Sequence, residues 1–478
     1  MKRISIILLA VGLVAALSMP VFALDVKVTG RAEMTGYWES NRAMVDNNEA
    51  SQRYFTTFIR LEPVFKVAEG LQLVTRFEGL ERVAGLDRIG YEQQHTMVKA
   101  GWAPGAGLSG ASMMDRNTEN EQNFAMKRAY IDANILGGRW WVGYQQGGNF
   151  GTDFLDYYED VLRVKAHYFV GPFTFIALWE KAGENSLGNN PQGIGYNDSE
   201  YDKYALAFIY KFSGKLSGQF GYLQYYLPNY TAEQTALDYK RTSWLGVPYF
   251  MVSYGPFYLE GEIDYTWGKM FDYGDNITRA TTGLQDIDHD SFSWYLKGKY
   301  TFGPAYAGIQ LACVAGDDPT TADKNEAGLQ STAATGYSPW QPVLILWNDW
   351  TSRYTGQGWG GYAYTGARDI FSGNGAIGNG GIPQNVFLYQ FFGGYKPIEK
   401  LELQAAITVM EADQAPTGYY DKDYGTELDL YATYKFYDNL SYTVAFGYLW
   451  AGDYWKGTNA NAQVGDDWLL MHKLTLTF

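Results

Sequence analysis

The sequence predicts an all-β protein, a transmembrane antiparallel β-barrel of about 18 strands, with 16 as the alternative count. Three observations carry that expectation: a composition rich in aromatics and glycine, a period-two alternation along most of the chain, and connections whose lengths alternate. Of 478 residues, 40 are Tyr, 26 Phe, 15 Trp and 55 Gly, while charged residues reach only 19%. A mean hydropathy of −0.28 excludes a bundle of membrane helices, which needs long uncharged apolar runs. The 17% aromatic content excludes disorder. Cys313 stands alone, so neither an intramolecular disulfide framework nor a multi-thiolate metal site is available. A net charge of −15 argues against nucleic acid as a partner.

Residues 1–23 read as a secretory signal peptide. Lys2 and Arg3 form its basic start, Ile4 to Leu17 its apolar stretch, and Val21-Phe22-Ala23 a small-x-small cleavage site. Residues 24–478 then read as one barrel domain, with no second domain visible.

Alternation begins soon after. Leu71, Leu73, Thr75 and Phe77 alternate with Gln72, Arg76 and Glu78, and Leu401, Leu403, Ala405, Ile407 and Val409 with Glu402, Gln404 and Thr408. Successive strand side chains point to opposite faces, so each such segment has one apolar and one polar face. A soluble sandwich gives the same pattern, and the connections separate the two. Tight turns are expected at Glu69-Gly70, Gly137-Gly138, Gly171-Pro172, Ser213-Gly214, Gly255-Pro256, Gly303-Pro304, Pro397 to Lys400 and Asp438-Asn439. Longer polar stretches alternate with them near 39–52, 84–122, 183–199, 228–238, 269–290, 316–384, 412–422 and 452–466, with a shorter one near 148–158. Barrels segregate short periplasmic turns from long outer loops in this way, and sandwiches have no reason to. Tyr37, Trp38, Trp179, Tyr265, Trp267, Tyr448 and Trp450 end the apolar faces as interface aromatics would.

The final segment, Trp468 to Phe478, resembles the C-terminal strand of Gram-negative outer-membrane proteins. Phe478, Leu476, Leu474, Leu470 and Trp468 fit its pattern and His472 interrupts it. The resemblance implies that Phe478 is the signal read by the outer-membrane assembly machinery. Gly425 to Leu430, Tyr434, Asn439-Leu440 and Gly447 to Tyr454 resemble the closing strands of alginate-export-type porins. Met126 to Asp132 with Trp141 to Gln145 is similar to strand pairs of deltaproteobacterial-type porins. These resemblances imply an outer-membrane location and, by analogy, a homotrimer.

With the apolar face on lipid, the other face lines the lumen. A basic wall is expected from Arg60, Arg76, Arg82, Arg128, Arg139, Arg163 and Lys165, interspersed with Glu62, Glu78, Asp132 and His167. An acidic wall is expected from Glu260, Glu262, Asp264, Glu402, Glu427 and Asp429. Opposed walls would set a transverse field that filters solutes, whereas mutual pairing would merely hydrate the lumen. Two loops, 84–122 and 316–384, are long enough to constrict or plug the pore, and Trp340, Trp347, Trp350 and Trp359 make free solvation of the second implausible.

Other motifs are weaker. Gly373-Asn374-Gly375-Ala376-Ile377-Gly378 matches G-x-G-x-x-G but sits in a glycine-rich loop without the strand and helix that a nucleotide site needs. Asp286, Asp288 and Asp290 are weak candidates for a hard cation, without an EF-hand pattern. His95, His167, His289 and His472 lack zinc spacing, and no nucleophile–histidine signature marks an enzyme. No cofactor is expected. The reading is a water-filled channel for ions and small hydrophilic solutes, in contact with membrane lipid and lipopolysaccharide. A substrate-specific channel or polysaccharide exporter is one alternative, and a plugged structural or adhesive barrel another.

Overall fold

The computed structural model describes residues 25–40, 51–83, 124–156, 158, 160–184, 200–231, 239–273, 285–328, 339–346 and 385–478. The signal peptide, the 84–122 loop, His95, Trp347, Trp350, Trp359 and the 373–378 motif lie outside the described residues. The wall opens with β1 (Asp25–Glu39), β2 (Gln52–Ala68), β3 (Leu71–Val83), β4 (Phe124–Ile135), β5 (Gly138–Gln146) and β6 (Asp160–Val170). It continues through β7 (Phe173–Glu184), β8 (Glu200–Phe212), β9 (Leu216–Thr231), β10 (Tyr239–Tyr254), β11 (Phe257–Asp272), β12 (Ile287–Phe302) and β13 (Ala305–Val314). After the two-residue β14 (Lys324–Asn325) come β15 (Val386–Ile398), β16 (Leu401–Glu411), β17 (Asp423–Tyr437), β18 (Leu440–Ala451) and β19 (Asp467–Thr477).

Each wall strand pairs antiparallel with its neighbours, and β13 bonds directly to β15. The extra β14 only touches the start of β12, in parallel, at Asp288 and His289. Eighteen strands therefore make the wall, and β1 closes it against β19 from Arg31↔Thr477 to Glu39↔Leu469. The seam ends where the Gly30 N–H donates to the Phe478 carbonyl at 2.7 Å and the Phe478 N–H to the Gly30 carbonyl at 3.0 Å. Short and long connections alternate as the sequence implies. The second tight turn lies one residue earlier than expected, with both Leu136 (φ 52°) and Gly137 (φ 74°) left-handed, the geometry that suits a two-residue hairpin.

Outward faces are apolar: Phe173 and Phe175 on β7, or Leu403, Ile407 and Val409 on β16, stay exposed. Aromatic pairs band the barrel at two heights. Trp38–Trp468, with centroids 5.2 Å apart, Tyr226–Trp244 at 4.6 Å and Tyr448–Trp450 at 4.9 Å mark the long-loop end. Phe173–Tyr210 at 4.8 Å and Phe257–Tyr300 at 4.6 Å mark the short-turn end. Tyr37 departs from the expected girdle. Its position in β1 points inward, where it is 6% exposed and stacks on Tyr54 at 4.9 Å.

Leu80 takes a left-handed φ of 55° at a bulge between β2 and β3. The Arg82 side chain, expected on the basic wall, lies outside what the structure describes.

At the seam, the Phe478 ring covers Gly30, where any Cβ would overlap it. Gly30→Leu should therefore lower the folded fraction, read as loss of heat-modifiable migration in SDS gels; unchanged migration would show that the seam tolerates a side chain.

Candidate functional site

Two segments leave the rim and fold into the barrel, and each hangs from carboxylates on the wall. The first is the connection after β5. Gly151 adopts φ 92°, and a Cβ there would run into Glu262 and Tyr249, so glycine lets the backbone approach the wall. The Thr152 N–H then donates to Glu262 Oε2 at 2.6 Å. Phe154, 1% exposed, stacks on Tyr295 of β12 with centroids 5.3 Å apart. The root is held by Arg163, which donates from Nη1 to the Gln146 carbonyl at 3.0 Å and from Nε to Glu180 at 2.9 Å. Lys203 reaches the other Glu180 oxygen at 2.8 Å. Within the segment, burial pushes the Asp156 carboxyl well above the usual carboxylate range, opposed by the N–H that Phe150 donates to it at 3.0 Å.

The second segment is 339–346, inside the long 316–384 loop. Three successive backbone N–H groups point at one acid pair. Ile345 and Leu346 donate to the two Glu427 oxygens at 2.5 and 2.8 Å, and Leu344 to Asp429 at 3.3 Å. Such a nest of amides is an anion receptor built from backbone. Gln390 completes the tether by donating to the Pro342 carbonyl at 2.6 Å. Hydrogen bonds to a charged acceptor contribute roughly 1.5–3 kcal/mol each. Ile345 and Leu346, at 0% and 1% exposure, pack with Leu388, Met410, Leu449 and Leu469 on the wall. Burial of side chains of that size adds about 1.5–3 kcal/mol apiece.

The segments meet. Trp340 sets its edge against Phe154 at 4.9 Å and against Tyr295 at 5.7 Å. Of the two loops long enough to constrict or plug the pore, 316–384 reaches inside through this stretch. The short 148–158 connection, which length alone did not single out, joins it. The signal for the first segment was present in the inner face of β7–β10, where Ile176, Leu178, Leu223, Leu227, Leu245 and Val247 are buried. Strands apolar on both faces read as covered on both faces, and Phe150 packs on this patch.

The expected basic wall is a ladder of ion pairs. Arg60 Nε lies 2.7 Å from Glu78, Arg76 Nη2 2.6 Å from Glu62, and Arg128 Nε 2.5 Å from Asp160. Arg139 grips Asp132 through two bonds of 2.9 and 2.6 Å, and Arg163 pairs with Glu180 beneath the first segment. Lys165 and Arg139 both lie over the Trp141 ring, 5.4 Å from its centroid, and His167 Nδ1 lies 3.2 Å from the Arg139 carbonyl. The ladder keeps open surface, with the Arg139 and Glu62 side chains 42% and 35% exposed. Contacts of the first segment fall on β6 to β12, and segment 339–346 packs on β12, β13, β15–β19, β1 and β2.

The expected acidic wall is divided differently. Glu262, Glu427 and Asp429 are covered by the segments they hold, rather than facing water. Asp264 is 7% exposed, and its Oδ2 has no hydrogen-bond partner among the described residues. Glu260 accepts from Tyr258 at 2.6 Å and Tyr295 at 2.7 Å, and Glu402 from Tyr306 at 3.1 Å near the short-turn end. The three aspartates weighed as cation ligands are separately engaged. Asp286 accepts from the Tyr273 N–H at 3.1 Å, Asp288 pairs with Lys269 at 2.5 Å and Asp290 with Lys324 at 2.9 Å. They do not converge on a common point.

No protein-family model matches the sequence, and no curated protein matches it. Solved structures do resemble the fold. A BenF-like porin from Pseudomonas fluorescens Pf-5 is 10% identical, with a TM-score of 0.48 over 95% of this chain and 99% of that one. OccK8 (OprE) of Pseudomonas aeruginosa is 13% identical, with a TM-score of 0.48 over 95% and 98%. The trimer form of the Vibrio cholerae outer-membrane protein OmpT is 13% identical, with a TM-score of 0.38 over 95% and 99%.

If the Phe154–Trp340 junction narrows the lumen, the double change to Ala should raise single-channel conductance about twofold or more. Equal conductance would place the narrowest point elsewhere. Glu427→Gln replaces one acceptor with a donor facing an N–H, and should increase protease cleavage within 339–346 without loss of the folded barrel.

Proposed function

We propose that this chain is an outer-membrane porin, a water-filled channel for passive diffusion of ions and small hydrophilic solutes. The observation that carries the reading is the ladder of paired charges on the inner face of β2–β6, where the Arg139 and Glu62 side chains stay 42% and 35% exposed. Hydrated charges of both signs suit water and polar solutes, and the inward segments set a size limit. The apolar outer face, the two aromatic bands and the closed hydrogen-bonding of the sheet support residence in a bilayer.

The same reading includes export through the 1–23 signal peptide, Phe478 as the strand end recognised by assembly machinery, contact with lipopolysaccharide, and a homotrimer. Kinship with deltaproteobacterial-type and alginate-export-type barrels rests on the residue matches alone. A substrate-specific channel is the second reading, favoured by the inward segments, since a general pore has less use for two tethered constrictions.

Planar-bilayer recording in a KCl gradient tests the proposal. Steady openings with weak ion preference are expected, because the ladder arginines are paired. Arg76→Glu should move the reversal potential toward cations, with a change of about twofold or more in the permeability ratio. A barrel that passes no current would replace the channel with the plugged structural reading.

A further inference from the structure

Between segment 339–346 and the wall made by β1, β2, β17 and β19 lies a cavity of about 190 Å³. That is the space of roughly six waters, room for one small ring and not for two. Rings and aliphatic groups line it, Tyr37, Phe58 and Tyr431 from the wall with Val343 and Leu344 from the segment. Thr35, Thr56, Glu33 and Lys473 interleave with them, Phe58 standing directly across from Glu33.

The charges are arranged unusually. Arg31, Thr475 and Lys473 all approach the same Glu33 oxygen, Oε1. No hydrogen bond among the described residues falls on Oε2, and it is not sealed from solvent. Lys473 Nζ stands 3.9 Å from Glu33, beyond hydrogen-bond reach, and donates no hydrogen bond among the described residues. The cavity thus presents one anionic acceptor beside one cationic donor, with hydroxyls nearby, among apolar groups. A cation meets Lys473 and Arg31 there, and an anion meets the open Glu33 oxygen. A pair of adjacent hydroxyls satisfies both groups, since each hydroxyl donates and accepts. The C–H face of a saturated ring suits the lining rings, as pockets commonly combine apolar walls with a few placed polar groups.

We infer that this cavity binds a single neutral sugar ring of hexose size. As a transport step the inference rests on the channel reading, but binding is measured separately. Saturation-transfer NMR on the detergent-solubilised, folded chain with D-glucose tests it. Transfer to the sugar that saturates in the millimolar range is expected, lost by tenfold or more in affinity in Lys473→Met and Glu33→Gln and retained in Lys473→Arg. Heat-modifiable migration checks that each variant is folded. Absence of transfer from glucose overturns the inference, as does equal transfer to an open-chain hexitol, a hexuronic acid or leucine. Bilayer conductance is recorded on the same preparation: binding without current sinks the channel and leaves the sugar site, and current without binding does the reverse.

Discussion

The pairing of β1 with β19 is the constraint on which everything else depends. A sheet in hydrocarbon cannot leave a row of amides unbonded, because each unsatisfied group costs several kcal/mol there. Closing the seam from Arg31↔Thr477 to Glu39↔Leu469 removes both edges at once. It also fixes which face of every strand looks inward, and so which residues the inward segments can use. Glycines where the rings of neighbouring strands lie flat, such as Gly30 under Phe478, let the backbones approach closely enough for that register.

The inner face then serves two different purposes. Along β2–β6, arginines and carboxylates pair with each other, and Arg139 and Glu62 remain partly wet. Along β11 and β17, carboxylates with few side-chain cations nearby take backbone amides instead, Glu262 from Thr152 and Glu427 from Ile345 and Leu346. A buried carboxylate needs donors from somewhere, and the segments supply them from main chain, which asks nothing of their side chains. Those side chains are free to be apolar, so Phe154, Trp340, Ile345 and Leu346 build a small core inside a barrel that would otherwise be hollow.

Much of the wall was legible in the sequence, because strand alternation and loop parity are local signals. Phe478, the tight turns and the long loops report themselves within a few residues. What stayed hidden depends on events that alternation does not record. Tyr37 falls on the inner row beside an aromatic, Trp38, on the outer one. The acidic residues were recognisable as an inward-facing set, but not that Glu427 and Asp429 lie beneath a loop segment more than eighty residues before them in the chain. Contacts of that separation leave no periodic trace, although the doubly apolar strands β7–β10 hinted that something covers them.

The ion-pair ladder has an electrical consequence of its own. Arg31 faces Arg60, and Arg76 faces Arg128, across adjacent strands, with carboxylates interleaved at bonding distance. Seen from more than a few ångströms away such charges cancel, so on the proposed reading as a channel a solute in mid-lumen feels a potential that ripples in sign over short steps instead of one deep well. Screening at a Debye length of about 10 Å in 0.1 M salt smooths the ripples further. A surface of this kind retards hydrated solutes little and distinguishes them chiefly when they brush against it, so discrimination should sharpen as the salt is diluted and fade as it is raised.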